Sequence, residues 1–277
     1  MAALLLLPAL TVVAVAAAVP IGVLLWVSLI PPGPLAPLQG GPTLAAFGGL
    51  FDASWTQVAA GTLGLALATT ALTTVLAFPA AWVLSRSSGG LRSVLSLLVV
   101  APLLMSVVVR AYGWTLILGS RGFLGESLAA LGLPRVGLLH TSAAVLIALT
   151  EAFLPFMILA LSASLDRSDR SLVDAARGLG ASPASAFVRV TLPLALPGLV
   201  AGAGFVLVGC LSAYATPALL GGSATRTLVL EIYERITIHF DWPTGAAASL
   251  ILLVLATALL AATAGFSRRR SATVFGA

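Results

Sequence analysis

The chain has 277 residues, of which 60% are hydrophobic and 8% charged; a soluble domain carries about 25% charged residues, so this composition excludes one. The net charge is +5, and the 14 basic residues, all arginine, are spread over several segments, which excludes a nucleic-acid-binding patch. One cysteine, Cys210, and two distant histidines, His140 and His239, exclude an internal disulfide and give no metal-ligand cluster. No phosphate-binding glycine loop, Ser-His-Asp set or pair of usefully spaced carboxylates is present, so catalysis by this chain is not expected and it carries no Walker-type ATP site.

The composition predicts an all-α membrane protein. Residues 4–30 are apolar, with Pro8 and Pro20 inside, and exceed the roughly 20 residues that cross a hydrocarbon core at about 1.5 Å each. A cleaved signal peptide is the rival interpretation. It is disfavoured because the apolar run continues past any cleavage point and no basic segment precedes it. The missing basic start leaves open whether Met1 is the natural first residue. Residues 31–57, rich in Pro and Gly and without a basic residue, predict an external loop, with Asp52 and Trp55 at the interface. A second span is predicted over 58–84, ending in Pro79 and Trp82, followed by the turn 85–92 with Arg86 and Arg92. A third covers 93–118, a loop 119–140, and a fourth span 141–165.

Residues 166–196 differ from the other connections, because they carry charge and still show helical spacing. Ser168 can cap a first short helix through Leu172, Val173, Ala175, Ala176 and Leu179. Gly180 supplies a break. Ser182 and Pro183 start a second helix, with Ala186, Phe187 and Val190 on its apolar side. Pro193 and Pro197 are expected to end that helix and lead into a fifth span, 197–220, whose glycines allow close helix packing. In 223–243, Leu228, Val229, Ile232, Tyr233 and Ile236 recur at helical spacing, predicting a short amphipathic helix at the outer surface. Asp241 can cap the last span, 244–266, and Trp242 is suited to anchoring at the interface.

Six spans put both termini on one side. The 85–92 turn, the 166–196 bracket and the tail hold two, four and three arginines, nine in all, against four (Arg121, Arg135, Arg226 and Arg235) in the opposite loops. The positive-inside rule therefore turns the bracket and both termini to the cytoplasm. The two halves of the chain show no similarity of the kind carried by many secondary transporters.

Arg110 and Glu151 are the two clear charges within spans, each costing about 2.5–3.5 kcal/mol or more at mid-bilayer unless paired or wetted. Both fall roughly 12–15 Å below the outer surface, on sequential antiparallel helices, so they can pair. The pair either fixes helix packing only, or places Glu151 in a central pathway where it meets a cationic solute. Tyr112, Trp114 and Tyr214 either stack on a passing cation or anchor the helices at the interface.

Asp174-Ala175-Ala176, three residues, Gly180, nine residues and Val190-Thr191-Leu192-Pro193 resemble the EAA signature of ABC importer permeases, with Asp in place of Glu and Val in place of Ile. The resemblance implies a cytoplasmic coupling helix that docks on an ATPase through Asp174, Ala175, Ala176, Arg177, Gly180, Ala181, Ser182, Pro183 and Phe187. The segments at 107–119, 151–161, 214–222 and 232–247 further resemble the spermidine/putrescine permeases of that family. This implies a single permease domain over 1–277 in a bacterial inner membrane. Its implied partners are two ATPase subunits, a second, distinct permease and an external solute-binding protein, besides lipid. The chain would bind no cofactor, ATP and Mg²⁺ being used by the ATPase. The alternative is a stand-alone channel or secondary transporter, with the bracket a mere amphipathic loop.

Overall fold

The computed structural model describes residues 2–34, 41–167 and 171–274. Its helices are α1 (Ala2–Ser28), α2 (Ala45–Gly48), α3 (Ala53–Arg86), α4 (Gly89–Val100), α5 (Val107–Leu118), α6 (Phe123–Ala130), α7 (Ser142–Asp166), α8 (Ser171–Gly178), α9 (Pro183–Ala186), α10 (Leu192–Leu211), α11 (Ala215–Leu220), α12 (Leu228–Thr237) and α13 (Trp242–Val274). No strand occurs among the described residues. Five helical stretches there are long and apolar enough to cross a membrane: Leu10–Ser28, Ala53–Arg86, Ser142–Asp166, Pro183–Leu211 and Trp242–Gly265. A sixth crossing results if Gly89–Leu104 and Val107–Ala130, which meet at 96°, count as one broken span.

Several expectations are corrected. The third span, expected unbroken over 93–118, is broken: Pro102 withholds an N–H and the helix tightens into a 3₁₀ turn at Ala101–Leu104, then the chain is extended at Met105 and re-enters a helix at Val107. The fifth span starts earlier and ends earlier than 197–220. Pro193 and Pro197 do not stop the helix; α9 runs through a π-helical turn at Phe187–Thr191 into α10, which ends at Leu211, and α11 is a separate short helix. Pro193 sits in the first turn of α10, where it is tolerated, and Pro197 lies in an apolar interior where tertiary packing holds the helix. The expected loops 31–57 and 119–140 contain short helices, α2 and α6 respectively. The Ser168 cap lies outside the described residues.

The chain divides into two compact units. In one, formed by described residues of Met1–Gly61 and Thr227–Ala256, Ala46, Leu50, Trp55, Leu228, Ile232, Ala247 and Ala248 make a small core. Trp55, expected at the interface, is buried in this core, with the Arg235 guanidinium 5.7 Å over its ring. The amphipathic helix is present as α12, and Leu228 and Ile232 are its buried residues. Asp241 caps α13 as expected: its Oδ1 accepts from Thr244 N at 3.3 Å and also from Gly33 N at 3.2 Å.

In the other unit, Thr62–Arg226 with Thr257–Ala277, α7 packs along α10. Gly198 faces the Ala160 carbonyl and Ser164, Gly202 faces Met157, and Gly209 faces the Phe153 ring. A Cβ at Gly202 would stand 2.6 Å from the Met157 sulfur. The close approach also lets Ser164 Oγ donate across the interface to the Leu194 carbonyl at 3.0 Å. Gly198→Val should therefore cost about 1–3 kcal/mol through overpacking, read as a lower Tm of the detergent-solubilised protein. Gly64→Ala, whose Cβ would meet nothing within 4 Å, should not lower it.

Candidate functional site

The break between α4 and α5 sets the position of Arg110. The chain is extended at Met105 and re-enters a helix after Ser106. Arg110, one turn into α5, turns back so that its Nη2 donates to the Pro102 carbonyl. That oxygen also accepts from Met105 N at 3.2 Å. The Arg110 Nε lies 3.8 Å from Glu151 Oε2 on α7 and is buried without a hydrogen-bond partner. The Arg110 side chain is 11% exposed and that of Glu151 34%. Trp114 Nε1 donates to the same Glu151 oxygen at 3.3 Å. The two intramembrane charges are thus brought together, as a loose pair that leaves Glu151 with spare acceptor capacity.

Two cavities flank the pair. One, of about 400 Å³, is lined by Arg110, Phe153, Phe156, Phe205, Tyr214 and Thr216, among others. The Phe156 and Phe205 rings lie 4.5 Å apart, and Phe153 lies 6.3 Å from Phe156 and 6.4 Å from Phe205. The other, of about 510 Å³, has aliphatic walls from α3, α4 and α7, with Glu151 its one charged residue. Tyr112 lines neither cavity and is 57% exposed. The three phenylalanines were not among the sequence candidates. Phe153 and Phe156 are three apart on one helix and so share a face, which was a usable signal. Phe205 joins them only through the packing of α10 on α7.

The bracket folds largely as its spacing predicts. Gly180 has φ +90°, a conformation that a residue with a Cβ resists. The Ser182 hydroxyl accepts from Ser185 N at 3.2 Å, and Pro183 opens α9. Asp174 and Arg177 of α8 border a groove of about 560 Å³ with Phe78, Trp82, Arg86 and Phe187. Ala176 is half-buried, Ala181 is half-buried beside the elbow, and Ala175 is exposed. Leu179, in the expected apolar run, is 90% exposed. Phe187 turns onto α3, its ring centroid 5.1 Å from that of Phe78 in an edge contact at 72°.

Residues 75–272 match the family described as "Binding-protein-dependent transport system inner membrane component". The spermidine/putrescine transport system permease protein PotB of Escherichia coli (strain K12) is 33% identical over 215 residues, 77% of this chain and 78% of that protein. The chain belongs to this family. It is the permease subunit of a binding-protein-dependent ABC importer, a multi-pass inner-membrane protein that does not itself catalyse, ATP hydrolysis belonging to the partner ATPase. A stand-alone transporter or channel is not favoured. The molybdenum transport system permease protein ModB of Mycobacterium bovis (strain ATCC BAA-935 / AF2122/97) is 35% identical over 195 residues, 69% of this chain and 72% of that protein. Among solved structures, a bacterial ABC transporter involved in the import of the acidic polysaccharide alginate superposes with a TM-score of 0.75 at 21% identity, covering 96% of this chain and 94% of that one. That likeness supports the permease fold.

The Arg110–Glu151 pair should be energetically coupled. In a double-mutant cycle of Arg110→Gln and Glu151→Gln, followed by thermal unfolding in detergent, the two changes should be non-additive by about 0.5–3 kcal/mol.

Proposed function

We propose that this permease moves polyamines inward by alternating access. The similarity to PotB along about three quarters of the chain carries that substrate assignment. The chemistry of Glu151 supports it. Glu151 is a half-exposed carboxylate with spare acceptor capacity, bordering an aliphatic cavity that suits the methylene stem of an alkyl-ammonium ion. The phenylalanine rings of the neighbouring cavity offer faces on which such a cation can stack. The whole chain acts as one permease domain, with the 166–196 bracket and both termini in the cytoplasm. The bracket docks on an ATPase; the assembly holds two ATPase subunits, a second and distinct permease, and an external solute-binding protein.

A second solute class has one observation in its favour. Arg110 is the charged residue lining the 400 Å³ cavity, which suits an oxyanion. Transport by the complete system in vesicles separates the two. ATP-dependent uptake of labelled spermidine or putrescine, lost on Glu151→Gln with assembly intact, is the expected outcome; uptake of molybdate without polyamine uptake would replace the substrate assignment. Gly180→Val, forced into φ +90°, should leave the subunits assembled but separate ATP hydrolysis from uptake.

A further inference from the structure

We infer that Phe187 is not a docking residue for the ATPase but the positioning residue that carries the bracket's movement into α3, through its edge contact with Phe78. This rests on the bracket being the segment that docks on the ATPase.

Three observations converge on this contact. First, Phe187 opens the π-helical turn between α9 and α10, in which Leu192 N donates to the Phe187 carbonyl. Pro193 has no N–H to offer the Arg189 carbonyl four residues back. The helical ladder is therefore already irregular where the bracket joins the membrane helix, and π-turns inside α-helices occur frequently at functional sites. Second, Phe78 immediately precedes Pro79 within α3. Pro79 leaves the Val75 carbonyl without its helical donor, so the partner helix is also softened at this point. Third, both rings line the 560 Å³ groove that Val173, Asp174 and Arg177 of α8 also border. The rings touch on one side and have free space on the other, so a displacement of α8 and α9 has room to push Phe187 against α3.

The chemistry of the contact suits transmission rather than docking. An edge-to-face pair of rings is stiff and directional, each side chain having two rotatable bonds. Phe187, 38% exposed, directs its ring at Phe78, whereas Leu179, at the elbow, is 90% exposed and presents an apolar side chain outward. The two ends of the bracket thus divide the work: the elbow faces outward and the π-turn faces α3.

The test uses the complete transporter reconstituted in vesicles, with ATPase retention, ATP hydrolysis and solute uptake measured together. Phe187→Ala should keep the ATPase bound and hydrolysing while lowering uptake per ATP by about tenfold, the size of effect that disrupting a coupling contact produces. Phe78→Ala should do the same, and the double variant should lose no more than either single one. Phe187→Leu, which keeps apolar bulk without the ring, serves if the alanine variant fails to fold, and should also lower uptake per ATP. Loss of the ATPase from Phe187→Ala would make Phe187 a docking residue and overturn the proposal. Unchanged uptake per ATP, or additive losses in the double variant, would overturn it as well. Failure of the underlying docking assignment has a different signature: the ATPase would stay bound, with normal coupling, in a variant whose elbow is disrupted at Gly180 and Leu179.

Discussion

The close approach of α7 and α10 is the constraint on which the unit formed by Thr62–Arg226 and Thr257–Ala277 depends. In lipid, apolar side chains gain little by leaving one hydrocarbon surface for another, so helices associate where small residues let their backbones approach. Gly198, Gly202 and Gly209 provide that surface, each facing a group on α7 that a Cβ would displace. The bracket is the connection between these two helices, so their packing anchors both of its ends. The same packing brings Phe205 of α10 against Phe153 and Phe156 of α7, and these rings form one wall of the 400 Å³ cavity.

The polar groups inside this apolar frame are placed by breaks in the helices. Pro102 lies in the 3₁₀ turn that follows α4, and its carbonyl stands near a kink of 96°. That carbonyl holds one end of the Arg110 guanidinium, while Glu151 lies 3.8 Å from its Nε. Burying a guanidinium is costly unless its donors find partners. Here one donor is satisfied by backbone and the charge is offset by a carboxylate that also accepts from Trp114. The result is a loose, shared pair that borders a cavity on each side. Asp241, in the unit that holds Trp55, shows the same economy, capping α13 and accepting from Gly33 with one oxygen.

Much of the fold was legible without coordinates, because its signals are local. Apolar length identified the crossings, Ser182-Pro183 identified the start of α9, Gly180 identified the elbow, and the spacing of Leu228 and Ile232 identified α12. The errors came where a local rule was outweighed by surroundings. Prolines were expected to end the second bracket helix, but Pro193 falls in the first turn of α10, where its missing N–H costs little. Trp55 carries the usual mark of an interfacial anchor, and its burial depends on residues some 170 positions away in the sequence, Leu228 and Ile232. Arg110 and Glu151 could be matched in depth by counting residues along two antiparallel spans, since the rise per residue is constant.

The sequence by itself determined that the chain crosses a membrane several times, where charge is concentrated, and that a helix–glycine–helix bracket lies between two spans. These follow from composition and from short-range geometry, which need no knowledge of distant contacts. Tertiary structure alone decided that the third span is broken, that α9 continues into α10, that Phe187 faces Phe78, and that Phe205 completes the aromatic wall. Each of those depends on which helix faces which, and periodicity along one helix says that a face is apolar without saying what covers it.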